Sequence, residues 1–186
     1  MSMADQISLA VEALNHQGVI AYPTESVFGL GCDPDDDRAI QKILELKIRP
    51  MEKGLILVAS DFSQLENYLL PLEKNIQQRI FDSWPGPFTW LWPVKEGVSE
   101  FIRGRHNTLA VRVSAHPVVK QLCDAYGKAI ISTSANPADL PPARIADEVR
   151  DYFNDKLDFI VDAEVGASAQ PTEIRDALTN KLIRPA

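Results

Sequence analysis

Ala129-Ile130-Ile131-Ser132-Thr133-Ser134-Ala135-Asn136 is an apolar run of strand length that passes without a break into a turn of hydroxyls and an amide. A buried strand ending on a polar turn is how open α/β sheets build ligand sites, because ligands gather beyond the carboxyl ends of strands. Val19-Ile20-Ala21-Tyr22 repeats the pattern: it closes at Pro23 and leads into Thr24-Glu25-Ser26. Leu55-Ile56-Leu57-Val58-Ala59, after Gly54, is a third continuous apolar run, expected to be covered on both faces by helices.

Outward from these strands, Ile7, Ala10, Val11 and Leu14 recur at helical spacing and predict a helix from Asp5 to Gln17, with Gly18 as its stop. Asp35, Asp36 and Asp37 precede Ala39, Ile40, Ile43 and Leu44, where negative charge complements a helix N-terminus. That second helix delivers Lys47 and Arg49 at or just past its end. Helical stretches are expected at 62–70 and 72–84, before Pro85-Gly86-Pro87 breaks the chain. Phe88 to Trp92 and Leu109 to Val113 read as strands, and His116-Pro117 opens a helix that Gly127 closes. A helix around Ile145 to Phe153 and a strand at Phe159-Ile160-Val161 follow. Glu173-Ile174-Arg175 and Leu182-Ile183-Arg184 predict a terminal hairpin across Leu178-Thr179-Asn180. Alternating helices and apolar strands give an α/β class, and the hairpin makes the sheet mixed. Residues 1–186 are expected to form one domain, without repeat or linker.

The formal net charge of -7 means that overall charge does not draw the chain to nucleic acid or anionic lipid, so any anion site must be local. Met1-Ser2-Met3-Ala4-Asp5-Gln6 has no basic segment followed by an apolar core, and no stretch is apolar enough for a membrane helix. The expected location is cytoplasmic, with no membrane contact. Cys32 and Cys123 are far apart and have apolar neighbours, which reads as buried thiols rather than ligands or nucleophiles.

Lys47 and Arg49 stand one residue apart just before Pro50, which favours an extended conformation at Arg49. In an extended segment both cations point to the same side and can converge on one anion, with Lys53 as a third. Equally, bases at a helix C-terminus complement its dipole. Ser132, Ser134 and Asn136 carry short donors and acceptors suited to phosphate, ribose or carboxylate, or to their own turn. Gly29 and Gly31, in Val27-Phe28-Gly29-Leu30-Gly31, allow close approach of a ligand or a tight turn. Arg112 interrupts an apolar strand and needs an anionic partner, either an internal carboxylate or a bound phosphate; Arg184 has the same two readings.

Other features carry less. His16, His106 and His116 show no metal-ligand spacing and accompany no GxSxG nucleophile motif, so surface or capping roles are expected. The acids between Asp33 and Asp37 lack the spacing of a calcium loop, and no metal site is expected in the protein. Trp90 and Trp92 fall at strand spacing beside the Pro-Gly-Pro turn, so they and Trp84 read as core rather than as base-stacking platforms. Neither a Walker loop nor GxGxxG is present.

Taken together, Tyr22-Pro-Thr-Glu25, Lys47-Ile-Arg49, Trp84-Pro-Gly-Pro-Phe-Thr89, Ala110-Val-Arg-Val113, Ser132-Thr-Ser-Ala-Asn136, Pro171-Thr-Glu-Ile-Arg-Asp176 and Leu182-Ile-Arg-Pro185 resemble, in order, the YrdC-type threonylcarbamoyl-AMP synthases. The resemblance implies a twisted mixed sheet flanked by helices with a large concave groove. It implies ATP, L-threonine and bicarbonate as substrates, Mg²⁺ accompanying ATP, and threonylcarbamoyl-AMP and pyrophosphate as products. The adenylate would serve the threonylcarbamoyladenosine modification of tRNA, through transient contact with the tRNA threonylcarbamoyl-transferase complex.

By the same resemblance Lys47 and Arg49 would be catalytic, meeting phosphate or carbamate oxygens. Ser134 and Asn136 would hold the nucleotide side, Thr24, Thr89 and Arg112 would line the groove and help orient threonine or phosphate, Ser132 and Lys53 would also bind substrate, and Arg184 would return to the nucleotide. Thr172 stands where relatives commonly have serine. The extra C-terminal domain of the family's longer members is not expected. Weak RNA binding on a basic concave surface is the reading from another class, and a carbamoyl-transfer relative is a further alternative.

Overall fold

The computed structural model describes residues 1–168, 170 and 172–185. Pro171, which opens the Pro171-to-Asp176 motif, and Ala186 lie outside the described residues. The elements in order are α1 (Met3–Asn15), β1 (Ile20–Pro23), β2 (Phe28–Gly31), α2 (Asp37–Lys47), β3 (Ile56–Ala59), α3 (Lys74–Phe81), β4 (Phe88–Pro93), α4 (Glu100–Arg103), β5 (Thr108–Val113), α5 (Pro117–Tyr126), β6 (Ile130–Ser134), α6 (Ala146–Phe153), β7 (Phe159–Ile160), β8 (Glu173–Asp176) and β9 (Leu182–Arg184). The strands form one mixed sheet in the order β7-β1-β2-β6-β3-β5-β4-β8-β9. β6 is its junction, pairing antiparallel with β2 on one side and with β3 on the other.

Strand side chains alternate between faces, and the core divides accordingly. Ile20, Tyr22, Val58 and Ile130 pack with Ile7, Ala10 and Leu14 of α1 and with Val118, Val119 and Leu122 of α5. Val19, Ala21, Leu57, Val111 and Ile131 pack on the other face, with apolar residues of α2, α3, α4 and α6. Helices therefore cover both faces, as the continuous apolar runs require. α1 and α5 reach only part of their face. Among the described residues, no helix is long and apolar enough to cross a membrane.

Local chemistry sets the ends of the helices. Ser2 and Asp5 form a reciprocal capping box at α1. The Asp36 carboxylate caps α2 by accepting from Arg38 and Ala39, and left-handed Gly127 ends α5, where His116 is the N-cap. Both cysteines are buried. Each indole N–H is engaged: Trp84 donates to Phe88 O, Trp90 to Ser83 Oγ and Trp92 to Leu70 O.

The expectations differ from the fold at four places. Residues 62–70 are not an α-helix: a 3-10 turn spans Phe62–Gln64, and Leu70 N then donates to Pro93 O, drawing the chain alongside β4. Leu70 precedes Pro71, which disfavours helical conformation there. Residues 72–84 are helical only at Lys74–Phe81. α4 is a single turn, too short to announce itself by periodicity. Phe28–Gly31 is a strand rather than a turn.

The two glycines of β2 differ: Gly29 lines a cavity that opens on the sheet, and Gly31 serves the core. A methyl group on Gly31 would lie 2.6 Å from Tyr22 Cε1 and 2.7 Å from Ile131 O, both fully buried. The absence of a side chain there lets the Tyr22 ring lie over β2 and donate its hydroxyl to Ile131 O at 2.9 Å. Gly31→Ala is expected to lower stability by about 1–3 kcal/mol in chemical denaturation, the usual cost of overpacking. Unchanged stability would mean that the ring is not seated on Gly31.

Candidate active site

The sheet register gathers the polar side chains. Directly paired residues share a face. Ser134 faces Gly29, Ser132 faces Ile56, Val58 faces both Ile130 and Arg112, and Ile174 faces both Thr89 and Arg184. All of these continue the face that α1 and α5 cover only in part. Where the helices stop, a cavity of about 500 Å³ opens on the sheet.

Its polar wall includes Thr24, Ser26, Ser132, Ser134 and Thr172, with four arginines, Arg49, Arg112, Arg144 and Arg184. Its apolar wall includes Val27, Phe28, Leu55, Ile56, Pro141 and Pro142. Among the described lining residues there is no carboxylate. A cationic, partly apolar cavity of this size is suited to a small polyanion that carries a flat apolar group.

Lys47 builds one rim from behind. It is only 5% exposed, and its ammonium donates to Ser134 O, to Asn136 O at 2.9 Å and to Asn136 Oδ1 at 3.3 Å. Its carbonyl accepts from Ala138 N at 3.1 Å. The end of α2 is thereby clasped to the turn that leaves β6. Burial chiefly, then the charge of Arg49, pulls Lys47 down to about 8, so at neutral pH it is still the ammonium its acceptors need.

The pairing of Lys47 with Arg49 does not arise from extended backbone. Lys47 ends the helix, and Ile48 adopts the left-handed conformation at φ 52°, ψ 45°. Arg49 N then reaches back to Leu44 O at 2.9 Å, a helix stop of Schellman type. A β-branched residue in this region is strained. The stop sends Lys47 under the β6 turn and Arg49 into the cavity. Arg49 is steadied by donating to Gly54 O at 3.0 Å, and burial, with Arg184 nearby, holds its pKa below the usual arginine value.

Arg112 has an internal carboxylate as its anionic partner. It pairs with Glu25 at 3.4 Å, the two side chains being 6% and 13% exposed, and it also lines the cavity. Glu25 is fixed by Ser114 Oγ, which donates to Oε1 at 2.6 Å, while Oε2 and Arg112 Nε have no hydrogen-bond partner among the described residues. Arg184 donates to Thr172 O at 2.9 Å, and burial, then Arg112, lowers its pKa.

Of the residues singled out in the sequence, Thr24, Arg49, Arg112, Ser132, Ser134, Thr172 and Arg184 line the cavity. Lys47, Thr89 and Asn136 stand behind its walls: Thr89 is fully buried against the Thr172 hydroxyl at 3.3 Å, and Asn136 donates to Leu140 O at 2.8 Å. Lys53 is exposed on a 3-10 turn, outside the lining. Ser26 and Arg144 line the cavity without having been singled out individually. Arg144 follows a Pro-Pro pair in a stretch without periodicity, and nothing local marked it.

An arginine-walled cavity on the part of the sheet face that α1 and α5 leave open is a site of the class suited to small polyanions. The family model described as "Telomere recombination" (Sua5, YciO, YrdC) matches residues 12–186, and the chain belongs to this family. It is 47% identical over 182 residues to the threonylcarbamoyl-AMP synthase of Photobacterium profundum, covering 97% of this chain and 98% of that one. It is 50% identical over 179 residues to the enzyme of the same name from Nitrosococcus oceani, covering 96% and 97%. Among solved structures, P. abyssi Sua5 complexed with L-threonine superposes with a TM-score of 0.91 at 30% identity. That match covers all of this chain and 55% of Sua5, so the chain spans about half of that longer protein.

The Lys47 clasp has a pH signature. Between about pH 8 and the ordinary lysine value of 10.5, the unfolded chain keeps a proton that folded Lys47 has released. The contribution of this residue to unfolding free energy therefore rises with pH across that window. Urea unfolding at pH 7.5 and 9.5 should show a more positive pH slope for the native sequence than for Lys47→Met. Equal slopes would contradict the burial of this charge.

Proposed function

We propose that this chain is a threonylcarbamoyl-AMP synthase, condensing L-threonine, bicarbonate and ATP into threonylcarbamoyl-AMP and pyrophosphate. The observation that carries the reading is the cavity of four arginines and several hydroxyls, with no acid among its described lining residues. It occurs in a chain matched over nearly its whole length by synthases of that name. The threonine amine condenses with bicarbonate, forming the N–C bond and losing the bicarbonate hydroxyl as water, to give a carbamate; a carbamate oxygen attacks the α-phosphorus of ATP in line, and pyrophosphate leaves. An anion must approach a polyanion, so neutralisation and positioning carry the catalysis.

In this reading Arg49 and Arg184 face the phosphate chain from walls already tethered to backbone carbonyls. Arg112, held by Glu25, takes a carboxylate or phosphate oxygen. The Thr24 hydroxyl donates to Val27 O at 2.7 Å, so it meets substrate as an acceptor. Ser132, Ser134 and Thr172 supply hydroxyls, and the apolar wall takes the adenine. Lys47, Asn136 and Thr89 act from behind, by holding the groups that touch substrate.

Mg²⁺ is not provided with a cradle by these residues. Among the described residues no group of three His, Cys, Asp or Glu is placed to hold a metal, and the lining has no acid. The ion therefore enters as part of the ATP complex, held by phosphate oxygens. The product serves threonylcarbamoyladenosine formation in tRNA by hand-over to a transferase complex in the cytoplasm. RNA binding draws less support, since the lining arginines converge on one cavity in a chain of net charge -7.

The test is pyrophosphate release from ATP and Mg²⁺, with threonine and bicarbonate omitted one at a time and the adenylate identified by mass. Release that requires both, with a threonylcarbamoyl adenylate product, is expected. No release from well-folded protein in any mixture would overturn the reading.

A further inference from the structure

Arg144 differs from the other arginines of the cavity. Arg49 is committed to Gly54 O, Arg112 to Glu25 and Arg184 to Thr172 O. Arg144 lines the same cavity, yet among the described residues its guanidinium makes no hydrogen bond or ion pair; only its backbone N–H is engaged, by Glu148 Oε2 at 2.7 Å.

Its backbone, in contrast, is fixed. The preceding residue, Ala143, is fully buried; its N–H donates to Ala135 O at 3.0 Å and its carbonyl accepts from Phe28 N at 2.8 Å. The segment before it is folded by Asn136 Nδ2, which donates to Leu140 O, and by Tyr152, which donates to Pro141 O at 3.0 Å. The fold thus brings a cation with five free N–H donors to the cavity on a rigid mount. Because Glu25 offsets Arg112, Arg144 joins Arg49 and Arg184 as a net positive charge in the wall. A planar fork without an internal partner suits phosphate oxygens, which it can bind bidentately.

We propose that Arg144 is a further substrate-binding residue, engaging the phosphate chain of the nucleotide. The proposal rests on the reading of the cavity as an ATP site, but its test does not require turnover. Inorganic tripolyphosphate and adenosine are titrated calorimetrically into the native protein, Arg144→Ala and Arg144→Lys, with melting midpoints recorded for each. Arg144→Ala should bind tripolyphosphate about tenfold or more weakly, the usual weight of charge-assisted hydrogen bonds. Arg144→Lys should recover part of that loss by restoring the charge without the fork. Adenosine affinity should stay within about twofold on the same scale, and the melting midpoint should not move, because the side chain is exposed.

Tripolyphosphate affinity equal to that of the native protein would overturn the proposal. So would equal weakening toward adenosine, which would place the guanidinium on the nucleoside. Native protein that binds no tripolyphosphate would overturn it as well. Native protein that binds tripolyphosphate but makes no adenylate would overturn the synthase reading and leave the assignment of Arg144 standing.

Discussion

The site depends on one buried ammonium. Lys47 joins the end of α2 to the turn after β6 through Ser134 O, Asn136 O and Asn136 Oδ1, and its own carbonyl holds Ala138. A buried charge is tolerated only when its hydrogen-bonding capacity is met, so Lys47 and the turn require each other. With the turn fixed, Ser134 faces the cavity and Asn136 shapes the segment that carries Arg144. The left-handed Ile48 sends Arg49 to the opposite side of the clasp, into the cavity. Backbone strain at this residue, of about 1–3 kcal/mol for a side chain in that region, persists because both of its neighbours are anchored.

Around this clasp the electrostatics are strongly local. The protein is acidic overall, yet four arginines share one cavity wall. Glu25 neutralises only Arg112, and Arg49 and Arg184 are each disfavoured as cations by burial and by a neighbouring arginine. Such a wall is poised for an anion, because substrate charge relieves repulsion already present among the guanidiniums. The protein acceptors that hold three of them keep the donors oriented before substrate arrives, which is how preorganised electrostatic sites lower barriers.

Much of this was legible in the sequence. The apolar runs at 55–59 and 129–132 mark neighbouring strands in the middle of the sheet and the run at 19–22 marks one next to its edge, and polar turns follow two of the three. What escaped was governed by contacts distant in sequence. β2 hides behind two glycines, of which Gly31 admits the Tyr22 ring and Gly29 lines the cavity, and the 62–70 segment has helical periodicity but follows β4 instead. Lys47 and Arg49 stand out in the sequence as a pair aimed at one anion, but the left-handed stop at Ile48 divides them between the back and the front of one wall. Arg144 became visible only once Ala143 was seen bonded to both β2 and the β6 turn.

Hydrogen exchange of Lys47→Met against the native protein tests the clasp most directly. Faster exchange confined to the amides of residues 134–145, with β3 and β5 as protected as before, is the predicted result. Native-like protection across 134–145, or an even loosening of the whole sheet, would contradict the claim that this ammonium organises the site.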